Sequence, residues 1–201
     1  PSILCIGDII LDHNVHGRID RVSPEAPVPI FLLESENYQL GGVGNVARNI
    51  VNLGGNATLL YLSGKKGQSR IIKKLIQKEK NIKNIEIKVE GFRVPIKTRY
   101  KNKLKQIIRV DNEVENFKLD KKYKDSILTM LNREIRKYKL VVLSDYSKGL
   151  LDKDLIQNVI KIAKKYNIKI IADPKKIDLN NYANINLLTP NEKEITDAAK
   201  K

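Results

Sequence analysis

The chain has 201 residues, enough for one domain with a substantial core, and 41% of them are hydrophobic, which excludes a disordered polymer. Its 38 lysines and arginines outnumber 23 acidic residues, for a net charge of +15. The excess is mostly lysine, mixed with acids in stretches such as Lys78-Glu79-Lys80, and only 5% of residues are aromatic, so it reads as a solvated surface and excludes a groove that stacks nucleic-acid bases.

The elements follow in chain order. Ser2–Gly7 reads as a buried strand, too short and too soon followed by Gly7-Asp8 to be a secretory signal. Its lone Cys5 can form no internal disulfide, which fits a reducing, cytoplasmic setting. No apolar run approaches the roughly 18 residues of a membrane helix, so no membrane partner is expected. From His13 to Leu40 the pattern changes. Ser23-Pro24-Glu25-Ala26-Pro27-Val28-Pro29 is too rich in proline for a central strand, and Ile30–Glu36 alternates. Val43, Val46, Ala47, Ile50 and Leu53 recur at helical spacing until Gly54-Gly55.

Ala57–Leu62 is a strand, Ile71, Ile72, Leu75 and Ile76 mark a helix, and Ile85–Val89 is a further strand. Pro95–Val110 reads as a hairpin of Ile96–Lys101 and Lys105–Val110 around Asn102-Lys103. Tyr123, Ile127, Leu128, Leu131 and Ile135 share a helical face, Leu140–Ser144 is a buried strand, and Leu155, Ile156, Val159, Ile160 and Ala163 give the next helix. Ile168–Ala172 and Ile185–Thr189 complete the strands, and a helix opens near Asn191. Strands alternating with helices predict an α/β, doubly wound, largely parallel sheet covered on both faces. Residues 13–40 and 95–110 predict a small β lid set into it, which could also pair two subunits. The helix opening near Asn191 reaches Lys201 within a few turns, so the chain is expected to be the N-terminal part of a larger domain.

Polar clusters fall at successive strand ends, where parallel sheets bind ligands. Leu40-Gly41-Gly42-Val43-Gly44-Asn45 opens a helix, so its glycines admit a ligand to the backbone and Asn45 can both donate to and accept from sugar hydroxyls. It is neither a Walker loop, since no Gly-Lys-Ser/Thr follows, nor a dinucleotide fingerprint. Asp8 and Asp12 follow the first strand, and a carboxylate there can accept two hydroxyl hydrogens; a turn aspartate is the alternative for each. Ser144-Asp145-Tyr146-Ser147-Lys148-Gly149 combines carboxylate, hydroxyl and ammonium, suited to magnesium and phosphate. Asp173-Pro174-Lys175 comes next. In Thr189-Pro190-Asn191-Glu192-Lys193-Glu194, Asn191 and Glu194 lie one helical turn apart, which a capping box also explains. His13 and His16 lack metal-ligand partners at useful spacing.

Gly41 to Gly64 resembles the first signature of the ribokinase-like carbohydrate kinases, with Asn45, Ala47, Gly54 and Gly64 at its spacings. Val43 departs from it, where a small residue is expected and added bulk could crowd the sugar. Thr189-Pro190-Asn191 through Glu194 resembles the family's Asn-x-x-Glu motif. A narrower set is similar to the heptose 7-phosphate kinase domain of the ADP-heptose synthase group. It comprises Gly7-Asp8-x-x-Leu11-Asp12, Arg21 through Pro29, Lys97-Thr98-Arg99, Gln106 through Asp111, Ser144-Asp145-Tyr146-x-Lys148-Gly149 and Asp173-Pro174-Lys175.

The resemblance implies a three-layer α/β/α fold and ATP-dependent, magnesium-assisted phosphorylation of a heptose 7-phosphate at its anomeric hydroxyl, for ADP-heptose and lipopolysaccharide core. It implies that Asp12, Gly41, Gly42 and Asn45 hold the sugar. It also implies that Asp145, Asn191 and Glu194 organise ATP phosphates and magnesium, Glu194 through water. Lys97, Arg99, Arg109 and Lys148 are candidates for the substrate's own phosphate, because an anion needs cations and these lie in the lid or at strand ends. For Arg99 and Arg109 the alternative is ion pairing with lid acids such as Asp111 and Glu113. The family's catalytic Gly-Ala-Gly-Asp motif is expected beyond Lys201, so these residues alone are expected to be inactive. Another sugar or nucleoside kinase of the superfamily, or a non-catalytic sugar-binding module, remains open on the residues.

Overall fold

The apolar run Ser2–Gly7 becomes β1, an inner strand of a six-stranded, wholly parallel sheet. The structure, a computed structural model, describes residues 1–64, 66–114, 116–175 and 178–200. After β1 come β2 (Ile9–Val22), β3 (Pro29–Gly42), α1 (Val43–Asn52), β4 (Asn56–Ser63), α2 (Lys66–Gln77) and β5 (Ile82–Lys88). Then follow β6 (Ile96–Asn102), β7 (Lys105–Asn112), α3 (Lys121–Glu134), β8 (Leu140–Ser144), α4 (Lys153–Lys165), β9 (Lys169–Asp173), β10 (Leu187–Leu188) and α5 (Glu192–Ala199).

The main sheet runs β10-β9-β8-β1-β4-β5. The chain therefore builds outward from β1 through β4 to β5, then returns to the other side of β1 as β8 and builds outward again to β10. That reversal makes the C-terminal ends of β1 and β8 a topological switch point, where open α/β sheets bind their ligands. The expected α/β architecture, a parallel sheet flanked by helices, is what the chain adopts.

Periodicity explains why the helices sit where they do. In α4, Leu155, Ile156, Val159, Ile160, Ile162 and Ala163 are buried, and Asp152 caps the helix by accepting from the Leu155 N–H at 2.8 Å. Each such Leu, Ile or Val side chain contributes about 1.5–3 kcal/mol on leaving water. A polar network anchors α2: the half-buried side of Glu86 on β5 accepts from Ser69 and pairs with Lys73 at 2.8 Å. The β5 strand starts three residues before the expected Ile85. Its extra residues pair with β4 in register Ala57↔Ile82, but as a sheet edge β5 carries polar Lys83 and Asn84 that hide its strand pattern. Burial pushes the Cys5 thiol up to about 12, so it behaves as a small core side chain. Among the described residues, no helix is long and apolar enough to cross a membrane.

A second, four-stranded sheet in the order β3-β2-β6-β7 is assembled from the two segments that break the α/β rhythm. Its strands start at Ile9 and end at Asn112, wider than the expected 13–40 and 95–110. At the root, Leu11 N donates to Pro95 O at 2.9 Å. The prolines fall where the ladder tolerates them. Pro24 and Pro27 lie in the turn closed by Ser23 N to Val28 O at 2.8 Å, and Pro29 opens the edge strand β3. By contrast β2 is an inner strand, paired with β3 on one side and β6 on the other.

Pairing assigns the two faces of this sheet. Asp12 lies beside Gln39 on one side and Lys97 on the other, and Asn14 beside Arg99, which in turn faces Arg109. The opposite face carries Val15, Tyr38, Tyr100, Ile108 and Val110. On it His13 stacks on Tyr38 at 4.1 Å and contacts Glu36 at 2.8 Å and Thr98 at 3.3 Å.

Candidate active site

Register places Gly7, Ser144 and Asp173 side by side on β1, β8 and β9. The residues just beyond them form the floor of the switch point. Asp8 is buried, and its carboxylate accepts three backbone N–H groups of the loop after β8: Tyr146 at 3.0 Å, Lys148 at 3.0 Å and Leu150 at 3.2 Å. Alternate residues of that loop thus point their amides at one internal anion, and Ser147 and Gly149 between them adopt positive φ of 56° and 107°. Burial pushes the Asp8 carboxyl up from its usual range; the loop amides pull it back, and the neighbouring Asp145 charge adds to the rise. Asp8 is therefore a turn aspartate, the alternative the sequence left open, and it sets the positions of Tyr146 and Lys148.

Asp145 takes a different place from the one expected. Its carboxylate is 2% exposed; it accepts from Ser147 N at 2.7 Å and from the buried Tyr182 hydroxyl at 2.5 Å. Burial and the Asp145 charge both push the Tyr182 hydroxyl well above its ordinary range. Contact with magnesium or ATP phosphates would require these bonds to open, so as folded Asp145 braces the loop against the short helical turn Leu179–Tyr182.

The glycine turn is built against both aspartates. Gly41 and Gly42 end β3, and Gly42 stands at the start of α1 with φ of 57°. A Cβ on Gly42 would lie 2.2 Å from the Asp8 carbonyl oxygen, and one on Gly41 would lie 2.3 Å from Asp12 Oδ2. Both positions are thus closed to side chains. Val43 N donates to Asp8 O at 3.0 Å, tying the helix start to the end of β1. The side chain of Val43 is fully buried in the core, which corrects the expectation that its bulk crowds the sugar. Asn45, in the first turn of α1, is exposed.

Asp12 lies in β2, inside the second sheet and not on the end of β1 where the sequence placed it. Arg99 Nη1 donates to its Oδ1 at 2.6 Å, with both side chains about a quarter exposed, at 26% and 27%. Lys97 is the neighbour of Asp12 on β6. The other two expected phosphate ligands hold acids: Arg109 pairs with Asp111 at 3.0 Å, half exposed, and Lys148 pairs with Glu113 at 2.7 Å. For Arg109 this is the alternative of a lid ion pair.

At the far side, Asn191 and Glu194 form a complete capping box on α5. Asn191 N donates to Glu194 Oε2 and Glu194 N to Asn191 Oδ1, both at 2.9 Å. Lys175 holds Glu194 Oε1 at 3.2 Å. Among the described residues, no three His, Cys, Asp or Glu side chains are grouped to hold a metal directly.

Sequence reasoning gives Tyr146 no role of its own beyond its place in the cluster after β8. Burial, then the charges of Asp173, Asp12 and Glu194, push the Tyr146 hydroxyl above the ordinary range. Asp173 is pushed up by burial and by Glu194, with Lys175 opposing.

Residues 1–201 match the pfkB family carbohydrate kinase profile. The chain is 41% identical over 201 residues to bifunctional protein HldE of Sulfurimonas denitrificans and 36% identical over 197 residues to bifunctional protein HldE of Granulibacter bethesdensis. These alignments take in 100% and 98% of the chain but 42% and 40% of those proteins, so it spans about two fifths of the length of these curated relatives. Among solved structures, phosphofructokinase-2 of Escherichia coli is similar with a TM-score of 0.72 at 20% identity, over 100% of this chain and 64% of that one. A carbohydrate kinase from Agrobacterium tumefaciens gives 0.71 at 17% identity, over 98% and 62%. At such identities the likeness is one of fold.

Proposed function

The chain belongs to the pfkB family of carbohydrate kinases, and from that premise we propose that the full-length protein phosphorylates a heptose 7-phosphate at its anomeric hydroxyl with ATP, for ADP-heptose and lipopolysaccharide core. The observation that carries the reading is the meeting of Asp12, the side-chain-free Gly41 and the lid cations Lys97 and Arg99 on one sheet face beside the switch point. A carboxylate packed against a glycine turn suits sugar hydroxyls, and the cations suit a phosphate on the same sugar. The relatedness to HldE proteins supports the heptose.

In this reading Asp12 accepts sugar hydroxyls, Gly41 and Gly42 let the ring approach the backbone, and Asn45 reaches it from α1. Lys97 and Arg99 meet the substrate phosphate, while Arg109 and Lys148 are held in ion pairs with Asp111 and Glu113. Asn191 and Glu194 face the ATP side. A magnesium ion held there through water would neutralise phosphate charge. Phosphoryl transfer of this kind draws on positioning and charge stabilisation, and the chain's contribution is to hold the acceptor in line.

The outer lid face, with Leu33 61%, Ile108 54% and Val110 47% exposed, is proposed as the contact of a homodimer. Sedimentation showing only monomer at micromolar concentration would remove that part. A cytoplasmic location goes with the reading and is checked by cell fractionation.

The test is a coupled ATPase assay of the full-length protein against heptose 7-phosphate, fructose 6-phosphate, ribose and adenosine. Turnover is expected to be fastest with heptose 7-phosphate. A preference for another acceptor would move the substrate, and no turnover with any would sink the kinase reading.

A further inference from the structure

We propose that the end of the main sheet opposite the candidate active site carries a second ligand site, a cleft built to take a small anion with two or more phosphate groups. The site is separate from the sugar cleft and stands whether or not the kinase reading does.

A cavity of about 420 Å³ opens beside the first residues of β1, β4 and β5. The eight residues of β4 separate it from the C-terminal strand ends, a span of about 25 Å at roughly 3.3 Å per residue. One wall is the sheet. Ser2 pairs with Asn56 and Thr58 with Lys83, so short polar groups and a lysine lie in one band. Glu86, three residues after Lys83, turns to α2, so Lys83 turns to the opposite face. The facing wall is the helical turn Ile135–Lys137 after α3, with Glu134, Lys137 and the ring of Tyr138. Backbone bonds pin both walls: Lys139 N donates to Ser2 O at 2.9 Å, and Ala57 N to Asn81 O at 3.0 Å. The cleft is therefore preformed, which spares a ligand the cost of ordering it. Its volume falls in the range of small-molecule sites, about 300–1,000 Å³.

Charge selects the ligand. Three lysines, Lys80, Lys83 and Lys137, line the cleft against one carboxylate, Glu134. That carboxylate is already shared: Lys137 holds its Oε2 at 2.6 Å and Arg133 its Oε1 at 3.3 Å. Glu79, next to Lys80 in the chain, is taken by Arg48 at 2.9 Å. No acid among the described residues lies within ion-pair distance of Lys80 or Lys83. A helix C-terminus attracts cations, which accounts for Lys137 at the end of α3 but not for Lys83, a strand residue. Cations that converge without counter-ions repel one another, and an anion between them removes that repulsion. Lys80 and Lys83 stand on the sheet side and Lys137 on the turn, so an anion with two phosphates meets both walls at once. Beside them the hydroxyl of buried Thr58 and the amides of Asn56 and Asn81 supply hydrogen bonds to the ligand's oxygens.

The experiment is lysine acetylation footprinting of the full-length protein, read by mass spectrometry, with inorganic pyrophosphate, ADP or fructose 1,6-bisphosphate added at constant ionic strength. Pyrophosphate is expected to slow modification of Lys80 and Lys83 about fivefold or more and to leave Lys74, exposed on α2, unchanged. Two variants fix the cause, with protection read at Lys80. Lys83→Gln should raise the half-protecting concentration about tenfold, whereas Glu134→Gln, which frees Lys137 for the ligand, should lower it about threefold. Kinase turnover of both variants should match the wild type, since neither residue touches the sugar cleft. Stronger protection by ADP than by pyrophosphate makes the ligand a nucleotide, and stronger protection by fructose 1,6-bisphosphate makes it a sugar phosphate; either upholds the site. Absent protection at Lys80 and Lys83, equal slowing at Lys74, or variants that shift the concentration in the same direction would overturn the site and leave the kinase reading untouched.

Discussion

Replacing Asp8 by alanine in the full-length protein is expected to lower its stability by at least about 3 kcal/mol and to disorder the 145–150 loop. Three backbone amides, of Tyr146, Lys148 and Leu150, end on this one carboxylate. A hydrogen bond to a charged acceptor contributes about 1.5–3 kcal/mol, and a buried amide left without any acceptor is itself disfavoured. Relief of the buried charge offsets part of the loss, which is why the expectation stays well below three full bonds. Asparagine should recover little. It has one acceptor where two are used, and its NH2 would face an incoming N–H. The effect reads out as a urea midpoint lower by about 1–3 M. Amide exchange should also be faster at 146, 148 and 150 than elsewhere in the sheet. An unchanged midpoint for Asp8→Ala would show that the loop holds itself, through the positive-φ residues Ser147 and Gly149, without the anion.

Such an effect was only half legible in the sequence, and the reason is general to this fold. Helix α4 and strands β1 and β8 announce themselves because burial on a fixed face imposes a period, and α5 begins where a local Asn-x-x-Glu pattern caps it. The second sheet hid its extent. In β2 the run Asp12-His13-Asn14 is polar on both faces, one turned to the site and one to the His13–Tyr38–Glu36 cluster, so no alternation marks it as an inner strand. Placing Asp12 in that strand changes it from a strand-end acid of the main sheet to an acid of the second sheet. The pairing of Arg99 with Asp12 spans 87 positions and Tyr182 with Asp145 spans 37, and no local pattern encodes either. Side-chain type picked out the candidates; topology alone decided which of them meet, and it sent Asp145 to Tyr182 and Arg109 to Asp111.

Replacing Asp12 by alanine is expected to weaken sugar binding about a hundredfold while leaving the fold intact. The gross interaction is larger than that. Two hydroxyls donating to one carboxylate would contribute roughly 3–6 kcal/mol. Against this stands the ion pair with Arg99, with which the hydroxyls compete for the carboxylate; a pair with both side chains about a quarter exposed contributes on the order of 1 kcal/mol. The net, about 2–5 kcal/mol, brackets the hundredfold, since each 1.4 kcal/mol is a factor of ten. Stability should change by less than about 1 kcal/mol, because Asp12 is partly exposed and its loss removes one surface-like pair. The alanine variant also leaves Arg99 without its acid. A phosphorylated sugar should therefore lose less affinity than an unphosphorylated one, its phosphate now meeting an unpaired guanidinium. Calorimetry of the full-length Asp12→Ala protein with both sugars measures this directly. Unchanged affinity for either sugar would remove Asp12 from the binding site, and would leave the Gly41–Gly42 turn and Asn45 as the remaining sugar contacts.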